Sequence, residues 1–284
     1  MGKYRKILVA VDDSEPSIHA LEESFRLARC EQCWITAVSV VPTYEGDLDM
    51  TAFGNVAKAL REPCEKALRE ATACAQRHKA LVKTVCEQGE PFERIADLAE
   101  AENCDVIVMG RSGKGNFQQA VIGSVTARVI GYSQKDVLVV PPAATLGWNA
   151  ILVATDGSRF SKVAEAKAID FAKAYGARLH IIMAVDLPDE LYGEAFDVVE
   201  KMIQEAKVYL ERVRAAAEQK GVATEVAVRE GHTSDTIIAY AQERNIETLV
   251  LGSHGRTGLR RLLMGSVAEN VIRTSRWPVL VVKM

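Results

Sequence analysis

Residues 7–14 read ILVAVDDS, and residues 151–158 read ILVATDGS. Each is a short, β-branched apolar run that stops on a polar turn, as a buried strand does. The second copy follows the first at an offset of 144. Further along, Gly110-Arg-Ser-Gly113 precedes Gly123-Ser124, and Gly252-Ser-His-Gly255 precedes Gly265-Ser266, at an offset of 142. A two-residue gap reconciles the two alignments. A period this long is a duplicated domain, far beyond a solenoid repeat. Pro141-Pro142 and Gly147 end regular structure between the copies. The 284 residues therefore divide into 1–143 and 144–284, each of ordinary domain size.

Both halves alternate short apolar runs with amphipathic stretches. The first half offers strands at Ile7–Val11, Ile35–Val41, Leu81–Cys86, Val106–Met109 and Val137–Val140. The second offers Ile151–Thr155, Leu179–Val185, Thr224–Val228, Thr248–Leu251 and Val279–Val282. Few of these runs alternate, so helices are expected on both faces of a parallel sheet. Helical patterns lie between them, at Ser17–Ala28, Asn55–His78 and Phe92–Glu102, and again at Ser161–Tyr175, Glu190–Lys220 and Ser234–Arg244. The expected fold class is α/β: two three-layer α/β/α sandwiches, each with five parallel strands and four helices.

Composition narrows the function. A net charge of -3 and few aromatics argue against nucleic-acid binding. No apolar run reaches the length of a membrane span. The start, MGKYRKILVAVDD, lacks the apolar core of a signal peptide, and Lys6 stands where a myristoylation motif needs Ser or Thr. A cytoplasmic protein is the expectation.

Open parallel sheets bind ligands at the carboxyl ends of their strands. The first strands end near Asp12 and Asp156, and the fourth near Gly110 and Gly252. The pattern G-x2-G-x9-G-S opens there, and its leading glycines are expected to supply positive φ and close backbone approach. Gly123-Ser124 and Gly265-Ser266 precede the helical stretches beginning at Val125 and Val267. Free N–H groups and the helix dipole favour an anion at such a start, and the serine is expected to cap it. Lys114 and Arg256 add positive charge for a polyphosphate, and the aspartates suit a ribose hydroxyl. Each feature alone has a bland reading as a turn or a cap. Their joint recurrence, twice at one spacing, favours a site.

These motifs resemble those of the universal stress protein family, in its tandem form, over nearly the whole chain. The resemblance rests on both G-x2-G-x9-G-S loops, on ILVAVDDS and ILVATDGS, and on the final PVLVV at 278–282. It implies a strand order of 3-2-1-4-5 and pairing of the fifth strands between domains. It also implies ATP, with Mg²⁺, held by the glycine loops. The first-half candidates are Ala10, Asp12, Val40, Gly110, Gly113, Lys114, Gly123, Ser124 and Val125. Those of the second half are Ala154, Asp156, Ala184, Gly252, His254, Gly255, Arg256, Gly265, Ser266 and Val267. Val40 and Ala184 are the strand-2 positions that would meet the adenine. His254 sits inside its loop, where an exposed loop residue is the competing reading. No metal ligand is assigned. The first half departs from the family with Arg111-Ser112, an extra Gly115, and Asp13 where Gly157 stands in the second. Asp13 is expected to place negative charge near the phosphates, so the second domain should bind at least as well.

The function expected from the resemblance is a nucleotide-binding stress-response regulator, with an unidentified regulatory partner and homodimer formation. One alternative is a slow ATP hydrolase. The Ser-Gly-Gly-x-Asp-Ser loop of ATP pyrophosphatases is missing after strand 1, and no base or arginine finger for phosphoryl transfer stands out. The other alternative is a scaffold that does not use nucleotide. All six cysteines lie in the first half. Cys30 and Cys33 form a C-x2-C pair after helix 1, the wrong helix end for a lowered thiol pKa, and no second pair completes a zinc site. His19, His78, His180 and His232 show no metal spacing. The segments 43–62 and 187–204 differ most between the halves and could cover a site.

Overall fold

The computed structural model describes residues 4–31, 33–43, 54–113, 121–186, 196–255 and 264–284. The chain forms two compact units that divide between Ala144 and Thr145. The first unit runs β1 (Lys6–Ala10), α1 (Glu15–Glu31), β2 (Trp34–Val41), α2 (Gly54–Arg77), β3 (Val82–Gln88), α3 (Pro91–Ala101), β4 (Val106–Gly110), α4 (Ser124–Tyr132) and β5 (Asp136–Val140). The second repeats it with β6 (Ala150–Ala154), α5 (Arg159–Tyr175), β7 (Arg178–Val185), α6 (Phe196–Gln219), β8 (Thr224–Glu230), α7 (Thr233–Glu243), β9 (Thr248–Gly252), α8 (Ser266–Thr274) and β10 (Val279–Val282).

Strand order within the first unit is β3-β2-β1-β4-β5, with every pair parallel. In the second it is β8-β7-β6-β9-β10, again parallel. This is the order the resemblance implied. The chain changes direction across the sheet between β1 and β4, and between β6 and β9, which opens a crevice at their carboxyl ends.

Every residue of β4 and β5 is buried, and so are the three central residues of β6, because both faces are covered. β3 departs from that pattern. Leu81, which reads as the start of an apolar run, lies outside the strand and is 86% exposed. β3 ends the sheet order of its unit, and its exposed Lys83 is a charge that deters edge pairing.

A matched clamp sets the register of the first strand in each unit. The N–H groups of Arg5 and Lys6 donate to Asp105 Oδ2 at 2.6 and 2.9 Å. The N–H of Asn149 donates to Glu247 Oε2 at 2.8 Å. An acidic residue just before the fourth strand thus holds the entry to the first. Helix ends follow local chemistry. Ser158 caps α5 by accepting from the Ser161 N–H, and Gly176 ends it at φ 66°. Pro91 opens α3, where a missing N–H costs nothing.

One disulfide joins Cys64 of α2 to Cys86 of β3, a pairing their spacing does not reveal. The Cys30 side chain and residues 44–53 and 187–195 lie outside the described residues. Among the described residues, no helix is long and apolar enough to cross a membrane.

Candidate nucleotide site

The turns after β1 and β6 fix the two aspartates. Asp12 Oδ1 accepts from the Ser14 N–H at 3.2 Å and from its hydroxyl at 2.5 Å. Asp156 Oδ1 accepts from the Ser158 N–H at 3.0 Å. The tight bend needs positive φ one residue later, which Asp13 adopts at 63° and Gly157 at 75°.

The fourth-strand glycines serve another purpose. The sequence suggested positive φ at Gly110, Gly113, Gly252 and Gly255, but none of them adopts it. Close approach is the reason they are glycine. A Cβ on Gly110 would lie 2.7 Å from the carbonyl oxygen of Pro16, and one on Gly252 would lie 2.9 Å from the carbonyl carbon of Phe160. The first turns of α1 and α5 therefore rest on the ends of β4 and β9. A Cβ on Gly113 would stand 2.5 Å from Asp12 Oδ2, and one on Gly255 3.1 Å from Asp156 Oδ2. The second glycine of each loop lets the backbone reach the strand-1 carboxylate.

The third glycine is the helix cap. Gly123 and Gly265 are the N-cap residues of α4 and α8, at φ -59° and -64°. Their N–H groups donate to Arg111 O at 2.8 Å and to Ser253 O at 3.0 Å, tying loop to helix. Ser124 and Ser266, expected as caps, are the first helical residues and make no capping bond. Their hydroxyls are exposed. The N–H groups at each helix start have no partner within the helix, which makes an anion cradle of backbone.

These parts enclose one cavity of about 300 Å³ in each unit. The first is lined by Ala10, Asp12, Val40, Gly110, Gly113, Gly123, Ser124 and Val125. The second is lined by Ala154, Asp156, Ala184, Gly252, His254, Gly255, Gly265, Ser266 and Val267. Lys114, Gly115 and Arg256 lie outside the described residues. The lining also includes residues that the sequence did not single out, among them Pro91 and Ile95 of α3, and Thr233 and Ile237 of α7. Their signal is an i, i+4 pair at the start of the helix after the third strand.

Asp13 is placed differently from expectation. It lines a neighbouring cavity with His19 and Arg111, and it accepts from Lys66 Nζ at 2.6 Å. Its charge therefore does not face the cradle. His254 is nearer the ligand space. Its Nδ1 lies 3.1 Å from Ser253 Oγ, and its ring stands 5.0 Å from that of Phe160. Its Nε2 is buried, with no hydrogen-bond partner among the described residues. In the first unit the equivalent position is Ser112, also buried.

Behind Asp156 lies a polar network that, among the described residues, the second unit alone has. The Thr155 hydroxyl hydrogen-bonds the Glu165 carboxyl, Tyr209 donates to the same oxygen at 2.8 Å, and the Gly157 N–H donates to Thr155 Oγ1 at 3.1 Å. The first unit has buried Val11, Leu21 and Ala67 at the matching positions. Burial pushes the Glu165 carboxyl above its ordinary range and the Asp156 charge adds to that, while the Thr155 and Tyr209 hydrogen bonds oppose both. A raised folded-state value means the stability from protonated Glu165 is full at acid pH and is lost as pH rises through that value. Glu165→Gln cannot titrate. The stability of wild type relative to Glu165→Gln is therefore expected to be greatest in acid and to shrink towards neutrality. Urea unfolding across that range checks it, and parallel pH curves for the two proteins would refute it.

A profile of the universal stress protein family matches residues 3–141 and again residues 147–283. The chain belongs to the universal stress protein family. It carries two universal stress protein domains in tandem. A universal stress protein of Methanocaldococcus jannaschii is 37% identical over 142 residues, 48% of this chain and 82% of that protein. One of Mycolicibacterium smegmatis is 25% identical over 290 residues, 98% of this chain and 96% of that protein. The crystal structure of a universal stress protein from Archaeoglobus fulgidus superposes at a TM-score of 0.75 with 24% identity. It covers 99% of this chain and 97% of that one, and it speaks to the fold.

Proposed function

We propose that this universal stress protein binds ATP in the glycine cradles of its two units, and acts as a nucleotide-dependent regulator. The observation that carries the reading is the recurrence of one backbone cradle facing one carboxylate in both units, each opening on a cavity. The parts suit the parts of ATP. The loop glycines and the starts of α4 and α8 offer N–H groups to phosphate. Asp12 and Asp156 offer an acceptor for a ribose hydroxyl. Val40 with Ile95, and Ala184 with Ile237, offer an apolar wall to a base. The buried Nε2 of His254 lacks a partner among the described residues and lies where a ligand would meet it. Mg²⁺ is assigned no protein ligand.

Calorimetric titration of the full chain with ATP, with and without Mg²⁺, tests the reading. ATP that binds and stays intact supports it. Multiple-turnover release of ADP would convert the assignment to a hydrolase, and no binding would leave a scaffold. Asp156→Ala removes a charge-assisted hydrogen bond and is expected to cost the second unit about 2 kcal/mol, roughly 30-fold in affinity. Unchanged affinity would remove Asp156 from the site.

A further inference from the structure

We propose that Glu22, Cys74 and His78 form a binding site for a single Zn²⁺ ion between α1 and α2 of the first unit. The three donor atoms lie within 4.8 Å of one another. Cys74 Sγ is 3.9 Å and His78 Nε2 is 4.0 Å from the same carboxylate oxygen, Glu22 Oε1. Cys74 and His78 are four residues apart at the end of α2, so they share one side of the chain as it leaves the helix. Glu22 meets them from α1.

The donor set decides the ion. One sulfur, one imidazole nitrogen and one carboxylate oxygen suit a borderline-soft divalent ion and do not suit Mg²⁺ or Ca²⁺, which take oxygen ligands. Three protein ligands leave a fourth tetrahedral position for water, the pattern of an exchangeable site. Cys74 is fully buried and Glu22 half-buried, so the ion would sit at the margin of the core with access from outside. Phe25 stacks on the His78 ring at 5.6 Å and supports its orientation.

Two features work against the ion, and neither excludes it. Arg77 lies 3.9 Å from Glu22 Oε1, but it is also held by Glu70 at 3.4 Å, so it keeps a partner when the metal takes Glu22. Burial pushes the Cys74 thiol up to about 11, so the ion must displace a tightly held proton, which leaves to water. Weaker binding than at an all-cysteine site follows. The second unit has Ala166, Ala216 and Lys220 at the matching positions, and Lys220 pairs with Asp170 at 3.2 Å. The site is private to the first unit and separate from both nucleotide cavities.

Metal-free full-length protein, without nucleotide, is titrated with Zn²⁺ against a chromophoric chelator. One ion per chain is expected, with a rise in the Tm of the first unit, because a ligand that binds only the folded state stabilises it. Glu22→Gln and Cys74→Ser should each lose that ion and the rise in Tm, while Cys33→Ser keeps both. Co²⁺ in place of Zn²⁺ should give a thiolate-to-cobalt charge-transfer band that Cys74→Ser abolishes. Glu22→Gln changes a half-exposed side chain and keeps the test valid if Cys74→Ser does not fold. Absence of bound Zn²⁺ in wild type, or an ion retained with unchanged affinity in Glu22→Gln, overturns the proposal.

Discussion

Replacing Gly265 with valine is expected to remove ATP binding by the second unit. An alanine Cβ there would stand 3.3 Å from His254 Cα and 3.6 Å from the Gly255 nitrogen, so a methyl group alone is nearly accommodated. The two further methyls of valine have only the space between loop and helix start, which is where a phosphate would lie. The helix keeps its start, because Gly265 contributes a carbonyl and an N–H that valine retains. The loss is thus expected in binding far more than in folding. Affinity at the second unit should fall at least 100-fold, about 2.8 kcal/mol. Gly123→Val in the same chain should remove whatever binding remains. Titration calorimetry reads both steps, with circular dichroism to show that the fold persists. A Gly265→Val protein that titrates like wild type would place the phosphates elsewhere.

Gly110→Ala is expected to strike stability. Its methyl would lie 2.7 Å from the Pro16 carbonyl oxygen and 2.8 Å from the carbonyl carbon, and both are backbone. Relief requires α1 to lift from the end of β4. Overpacking of this kind costs about 2–3 kcal/mol, measurable as a lower urea midpoint for the first unit. Gly176→Ala is the control. Nothing lies within 4 Å of its Cβ position, and only its φ of 66° opposes a side chain. That should cost about 1 kcal/mol. A Gly110→Ala protein no less stable than Gly176→Ala would contradict the close-packing account. Because α1 begins just after Asp12, the same shift should also disturb the proposed ATP site of the first unit.

The fold was legible because burial on both faces writes itself into composition. A strand such as Val106–Gly110 has no polar residue to mislead. Leu81 misled because an apolar side chain next to a strand reads as part of it, and exposure is a tertiary fact. The candidate site was legible as spacing but not as cause. Gly110 and Gly252 were read as supplying positive φ and close approach to a ligand, yet what excludes a side chain is the backbone of the first turn of α1 or α5, which spacing cannot display. Ser124 and Ser266 were misread by a single residue, the difference between capping a helix and starting it. Glu22 and Cys74 are 52 residues apart, and Glu165 and Tyr209 are 44 apart. Groups that meet only across packed helices leave no local pattern. Asp13 was judged by its neighbours in the chain, whereas its partner Lys66 comes from α2.

The buried network behind Asp156 bears on how this gene can change. Two repeats in one chain invite recombination that copies one over the other. Moving the segment Glu15–Glu31 into the place of Arg159–Tyr175 would bring Leu21 against Thr155 and Tyr209 and take from both hydroxyls the carboxylate they share. The reverse exchange would bury the Glu165 carboxyl against Val11 and Ala67 with nothing to bond it. Each lost partner would cost about 1–3 kcal/mol, a large share of the stability of a domain. Mismatched interiors therefore insulate the two copies from homogenisation, and each remains able to drift towards its own ligand.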